Sequence, residues 1–166
     1  MTPMIASAAQ MPVKDNEFDV ILASDVLEHV PPDLRKMVID ESLRVARKLV
    51  IFGFPCGELA WESDRALLDA YLKKNLTPAE WLTEHMEAKF PEPELFREID
   101  GWEIQHHDNE NISFHSWLMR SEMSRVFLKV SSTSMRLAPF LVEMLLRRAN
   151  RRPVYRKIFV LRKLTT

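Results

Sequence analysis

The chain has 166 residues, 46% of them hydrophobic, and a formal net charge of −1. This composition supplies a core for one domain and excludes wholesale disorder, and the apolar runs fall well short of the ~20 residues of a bilayer-spanning helix. Met1 to Gln10 lacks the basic and apolar regions of a signal peptide, and the single cysteine, Cys56, excludes an internal disulfide and fits a reducing, cytoplasmic compartment. The charge is unevenly divided. Residues 1–110 hold 22 acids and 11 bases, whereas residues 111–166 hold 2 acids and 12 bases. A basic carboxyl-terminal part packed near an acidic body accounts for this, and so does a basic surface for an anionic substrate, a membrane surface or nucleic acid.

Met4 to Ser7 is short enough to be a strand remnant, and Lys14 to Glu17 is a polar turn. Phe18 to Ala23 then reads as a strand, its near-continuous apolar run suiting one covered on both faces. Pro31-Pro32 breaks the chain, Asp33 is a candidate N-cap, and a helix is expected from Leu34 to Ala46. Lys48 to Phe54 is a second buried strand, stopped by Pro55. Strand, helix and strand in this spacing form a right-handed parallel βαβ unit.

Helical periodicity runs from Glu58 to Lys74, and Thr77-Pro78-Ala79-Glu80 has the residue types of a capped helix start. A short helix is expected near Arg97, a third strand over Trp102–His107, a polar loop over Asp108–Asn111 and a helix from Ile112 to Val130. Ser131 to Ser134 reads as an interruption before a further helix, Met135 to Asn150. The last segment, Tyr155 to Leu164, is a basic-flanked strand. Leu137, Phe140, Leu141, Met144 and Leu145 make an apolar stripe followed by Arg147, Arg148, Arg151 and Arg152. Bases at a helix carboxyl end suit its dipole, and a basic amphipathic helix also suits a membrane surface. The stripe lacks the interleaved aromatics of a nucleic-acid platform, which argues against nucleic acid.

The chemistry concentrates where the first strand ends. Ligands of open α/β sheets bind outside the carboxyl ends of the strands, and here Asp25, Glu28 and His29 follow the small residues Ala23 and Ser24. His85 shares a helix with Trp81 and Glu84, as a pocket residue or an ordinary core or surface histidine. Cys56 follows Pro55 at a strand end with no evident activating base, as a substrate contact or an inert thiol. His106 and His107 alternate across a strand without a third spaced ligand, so no metal site is read.

Met11-Pro12, the polar turn and Asn16 to Val30, continued by Arg44 to Arg47 and the strand Leu49 to Phe54, closely resemble class I S-adenosylmethionine-dependent methyltransferases of the type-11 domain group, over about residues 7–57. The resemblance implies an α/β fold: a partial Rossmann-like sheet of about four strands, the last antiparallel, with helices on both faces. It implies S-adenosylmethionine as cofactor, Ser7, Ala8, Ala9, Gln10 and Met11 against its adenine, and Ser24, Asp25 and Val26 beside its methionine part. An acidic residue often stands where Ser7 stands here. The resemblance also places His29 toward cofactor or substrate, where it could take a proton from a small-molecule acceptor. Residues 58–98 then form a helical insertion capping the substrate, with Cys56, Trp81 and His85 facing it.

One departure shapes the expectations. The family's Gly-rich loop and ribose-binding acid precede the region matched by Met1 to Gln10, and the three glycines, Gly53, Gly57 and Gly101, all lie later. Residues 1–166 therefore read as a single amino-terminally shortened methyltransferase-like domain, with independent cofactor binding in doubt. Without its usual neighbour, strand 18–23 is an apolar edge, and such edges recruit other chains. A homo-oligomer or a partner chain on that edge is expected, and a non-catalytic assembly module is the alternative to a methyltransferase.

Overall fold

The computed structural model describes residues 3–149 and 151–164, without several side chains between Glu122 and Ala149, so the expectations placed on Leu145 and Arg148 lie outside the described residues. The expected βαβ unit is present. Strand β1 (Phe18–Ser24), helix α1 (Arg35–Val45) and strand β2 (Ala46–Pro55) follow one another, with β1 parallel to β2 from Val20 opposite Leu49 to Ser24 opposite Gly53. Asp33 does not cap α1. The cap position is Leu34, without a side-chain bond, and its N–H donates to the Pro31 carbonyl at 2.9 Å. Arg35 holds this entry, donating from Nε to the Val30 carbonyl at 3.0 Å and from its guanidinium to the Lys89 carbonyl at 2.7 Å.

Strands β3 (Trp102–Asn111) and β4 (Val154–Lys163) complete a four-stranded sheet in the order β1-β2-β4-β3. As expected, the last strand is antiparallel, and it enters between β2 and β3. The polar stretch Asp108–Asn111 belongs to β3 rather than to a loop. Its partners explain this: Asp108 lies opposite Lys157 and pairs with it at 2.5 Å and with Arg152 at 2.6 Å. Basic residues of the carboxyl-terminal part are thus partly neutralised by the acidic body.

The core lies on one face of the sheet, where Val50, Phe52, Phe54, Phe159 and Leu161 meet Val38, Ile39 and Leu43 of α1 and Phe96. Phe96 and Phe159 stack with centroids 4.4 Å apart. Ile21 and Ala23 of β1 pack on this core, but Val20 and Leu22 point the other way and are 51% and 69% exposed. The run expected to be covered on both faces is therefore covered on one.

Residues 58–98 hold helix α2 (Glu58–Lys73), helix α3 (Glu80–Glu84) and a 3-10 turn at Pro93–Phe96. Helix α3 is shorter than the Thr77 signal predicts, because its cap position is Ala79 with extended backbone and no side-chain bond. Helix α4 (Ile112–Glu122) starts at Asn111, whose side-chain oxygen accepts from the N–H groups of Ser113 and Phe114. Ser124 caps helix α5 (Arg125–Leu137), and helix α6 (Pro139–Ala149) follows. The Ser131–Ser134 run does not interrupt α5. Thr133 and Ser134 donate their hydroxyls to the carbonyls four residues back, at 2.7 and 2.9 Å, and so stay within the helix. Met4 to Ser7 forms no strand, only an isolated bridge from Ser7 to Gln10. No helix among the described residues is long and apolar enough to cross a membrane.

Candidate functional site

Two clefts open at the carboxyl ends of β1 and β2 and share Glu28 and His29. One, of about 410 Å³, runs from Glu28 to Pro32 and across to Glu84, Glu87 and Ala88. The other, of about 250 Å³, is lined by residues that include Asp25, Trp81, His85, Met119, Tyr155 and Arg156. The strand end is shaped by Asp25, in the left-handed region at φ 55. Its N–H donates to the Gly53 carbonyl at 2.8 Å, and its carboxylate accepts from Ser24 at 3.0 Å and from both guanidinium ends of Arg156. The reversal turns the chain from β1 into the 3-10 turn Leu27–His29, which buries Leu27 and Glu28 and leaves His29 exposed.

Glu28 is only 3% exposed, and neither carboxylate oxygen has a hydrogen-bond partner. Burial pushes its pKa up to about 7, opposed by its own backbone N–H and by Arg156 and assisted by the nearby charge of Asp25. His29 places Nδ1 3.2 Å from a Glu84 carboxylate oxygen.

Asp64 is the second buried carboxylate. It projects from α2 and is fully buried. One oxygen accepts from Tyr155 at 2.7 Å and lies 2.7 Å from His85 Nδ1. The other is 3.5 Å from His115 Nε2, an electrostatic contact rather than a hydrogen bond. Burial alone would raise the Asp64 pKa, but the groups of His115, His85 and Tyr155 outweigh it and hold the carboxyl below its ordinary value. Burial and the Asp64 charge push the Tyr155 hydroxyl far above its usual range, so it stays a donor. His115 lies face to face on Tyr155, centroids 3.5 Å apart, with Nδ1 3.0 Å from Glu110. Burial lowers its pKa, and the partners Asp64 and Glu110 more than restore it, so the net direction is upward. His85 is boxed between Trp81 and Phe90, with centroids at 5.2 and 4.9 Å.

The structure brings His29, Asp25, Trp81 and His85 to one cleft. Cys56 is elsewhere: it is buried in the core, where burial pushes its thiol up to about 12. The Ser7–Met11 turn is tied to α1, the Met11 N–H donating to Glu41 at 2.6 Å and its carbonyl accepting from Arg44 at 3.2 Å. Sequence reading missed Asp64, His115, Tyr155 and Arg156. Asp64 had a signal, since it shares the buried stripe of α2 with Ala60 and Leu67, where a carboxylate demands partners.

Residues 2–52 match the family described as a methyltransferase domain. Over the chain as a whole, a structure assigned as a sarcosine dimethylglycine methyltransferase of Galdieria sulphuraria superposes with a TM-score of 0.51 at 17% identity. The comparison covers 96% of this chain and 58% of that one. The two chains share a Rossmann-like α/β fold. Weaker likenesses include the [4+2]-cyclase SpnF, with a TM-score of 0.46, 16% identity and coverage of 98% and 56% of the two chains. Phosphoethanolamine N-methyltransferase 2 of Haemonchus contortus, in complex with S-adenosyl-L-methionine, gives a TM-score of 0.41, 13% identity and coverage of 96% and 36%. No curated protein matches the sequence. The chain spans little more than half the length of the first two of these structures. Most of the βαβ unit lies within residues 2–52, and the described cleft lies at its strand ends.

Proposed function

We propose that this chain is the acceptor-binding side of an S-adenosylmethionine-dependent methyltransferase. The carrying observation is the cleft outside β1 and β2, walled by Asp25, Glu28, His29, Trp81, His85 and Tyr155, on a chain whose residues 2–52 match a methyltransferase domain. The similar Galdieria sulphuraria protein, named a sarcosine dimethylglycine methyltransferase, makes a small amine-bearing molecule the first acceptor to try.

The fit to the cofactor is one-sided. Ser24, Asp25 and Val26 would flank its methionine part and Ser7 to Met11 its adenine, but the Asp25 carboxylate is already held by Arg156. The cofactor, when bound, supplies an electrophilic methyl group. Everything else falls to the chain's own residues. In the metal-free protein, His29 would take the proton of the acceptor, with Glu84 orienting its ring. Trp81 and Tyr155 would exclude water, and residues 58–98, anchored by Arg35 to Lys89, would serve as the cap. Proximity rather than a strong base would provide most of the rate.

Titration calorimetry of the full chain with S-adenosylmethionine and with S-adenosylhomocysteine tests this reading. Saturable binding that weakens in Asp25→Ala supports it, and absence of heat at millimolar cofactor would sink independent catalysis.

A second reading rests on the bare face and edge of β1. We infer that a second copy of the chain covers Phe18, Val20 and Leu22 by pairing β1 with β1, a self-complementary two-fold contact. Sedimentation at micromolar concentration is expected to give a dimer that Val20→Lys dissolves. A monomer in the unmodified protein would remove this assembly role.

A further inference from the structure

We propose that Glu28, His29 and His85 form a site for a divalent transition-metal ion, zinc by its donor set, at the junction of the two clefts. One ligand atom from each residue lies within 4.8 Å of the others. Four-coordinate zinc with bonds of about 2.0–2.1 Å needs closer donors, so the three side chains would draw together around the ion.

Three further observations point to a ligand there. First, Glu28 is 3% exposed with both oxygens unpartnered, and it lines both clefts. A buried carboxylate without donors is costly, and a bound cation satisfies it. Second, each histidine has Nδ1 beside a carboxylate: His85 at 2.7 Å from Asp64 and His29 at 3.2 Å from Glu84. At His85 this hydrogen-bonded carboxylate fixes the tautomer that leaves Nε2 with a lone pair, which is how metal-binding histidines are commonly oriented, while Glu84 is an ion-pair neighbour of His29. Third, Asp64 is itself held by Tyr155, so the orientation of His85 is transmitted from β4. A serially supported histidine of this kind is more than core packing requires.

Two histidines and one carboxylate are the ligand set of open zinc sites, which leave a position for water or substrate. The open position here faces the clefts. His29 then acts as a ligand instead of as the free base of the preceding section. A zinc-bound water has a pKa of about 7, so the hydroxide formed on the ion would take the acceptor's proton in its place. The site stands whether or not the chain transfers methyl groups, because metal binding is read without cofactor.

The test is calorimetric titration of chelator-stripped full-length chain with zinc chloride near neutral pH, paired with the visible spectrum of the cobalt-substituted protein. About one zinc per chain and a four- or five-coordinate cobalt band are expected. Glu28→Gln and His85→Ala should each weaken zinc by more than about 100-fold, and Asp64→Asn by about 10- to 100-fold. His29→Ala changes an exposed position and leaves the fold intact, so its loss of affinity decides the matter should the buried variants unfold. His106→Ala is the control and should bind as the unmodified chain does. Absence of saturable zinc binding, or equal binding in His29→Ala and the unmodified chain, would overturn the site.

Discussion

Asp64 and Glu28 are two carboxylates buried to nearly the same degree, Glu28 lining the smaller cleft and Asp64 held behind its His85, His115 and Tyr155, with opposite surroundings. Asp64 is touched by His85, Tyr155 and His115 and is held ionised. Glu28 has no donor on either oxygen, and burial pushes its pKa up to about 7. The difference separates a group that holds the structure from one whose demand for a partner is left open. A buried carboxylate with two hydrogen-bond partners on one oxygen and an imidazole beside the other orients its surroundings, whereas one with no partner on either oxygen lowers stability and is retained at sites that bind something.

Mutations sharpen that contrast. Asp64→Ala takes the carboxylate from His85 and Tyr155 and leaves His115 with Glu110 alone, and is expected to cost about 4 kcal/mol in denaturant unfolding. A loss below about 1 kcal/mol would show that the network is not structural. Tyr155→Phe removes one hydrogen bond to an ionised group while keeping the ring stacked on His115, so a loss of about 2 kcal/mol is expected by the same measurement. Glu28→Gln should act in the other direction. In chelator it is expected to raise stability by about 1 kcal/mol, and a clear loss would mean that Glu28 has internal partners after all.

Glu41, on α1 beside Met11, gives a half-buried reference, its side chain 11% exposed. Hydrogen bonds from Arg44, then from the Met11 N–H, lower its pKa to about 2 from 4.5. A carboxyl depressed in the folded state contributes stability that is full above the unfolded value and lost as pH falls through the folded one. The advantage of the unmodified chain over Glu41→Gln is therefore expected to be constant above about pH 4.5 and to shrink toward pH 2. Solvent screening limits it to about 1 kcal/mol, and pH-resolved thermal unfolding of the two proteins measures it.

The βαβ unit was legible because its signals are local: an apolar run, a proline break, a helical period and a second run. Where expectation failed, the deciding partner was distant or local competition was misjudged. Asp108 extends β3 because Lys157 and Arg152 sit 49 and 44 residues away. The Ser131–Ser134 run continues α5 because its hydroxyls bond back to the helix instead of competing with it. The covered state of β1 was misread because an apolar run states what a strand could bury, not what lies beside it. The cleft was half legible. The turn from Ser24 to His29 carries its chemistry in consecutive residues, whereas His85 acquires its role from Asp64, 21 positions earlier, and Tyr155, 91 positions after Asp64. Periodicity along one element cannot show that convergence.

The strand order β1-β2-β4-β3 has a consequence for how the molecule is made. The strand that comes last in sequence is not added at a border; it fills the gap between two strands synthesised earlier. Until Val154–Lys163 emerges from the ribosome, β3 has no neighbour, Asp25 lacks Arg156 and Asp64 lacks Tyr155. Assembly is therefore forced to wait for long-range pairing, which slows folding and lengthens exposure of the apolar strands. A nascent chain halted before Val154 would lack the middle of its sheet rather than its rim, and the smaller cleft would be without its Tyr155 and Arg156 walls.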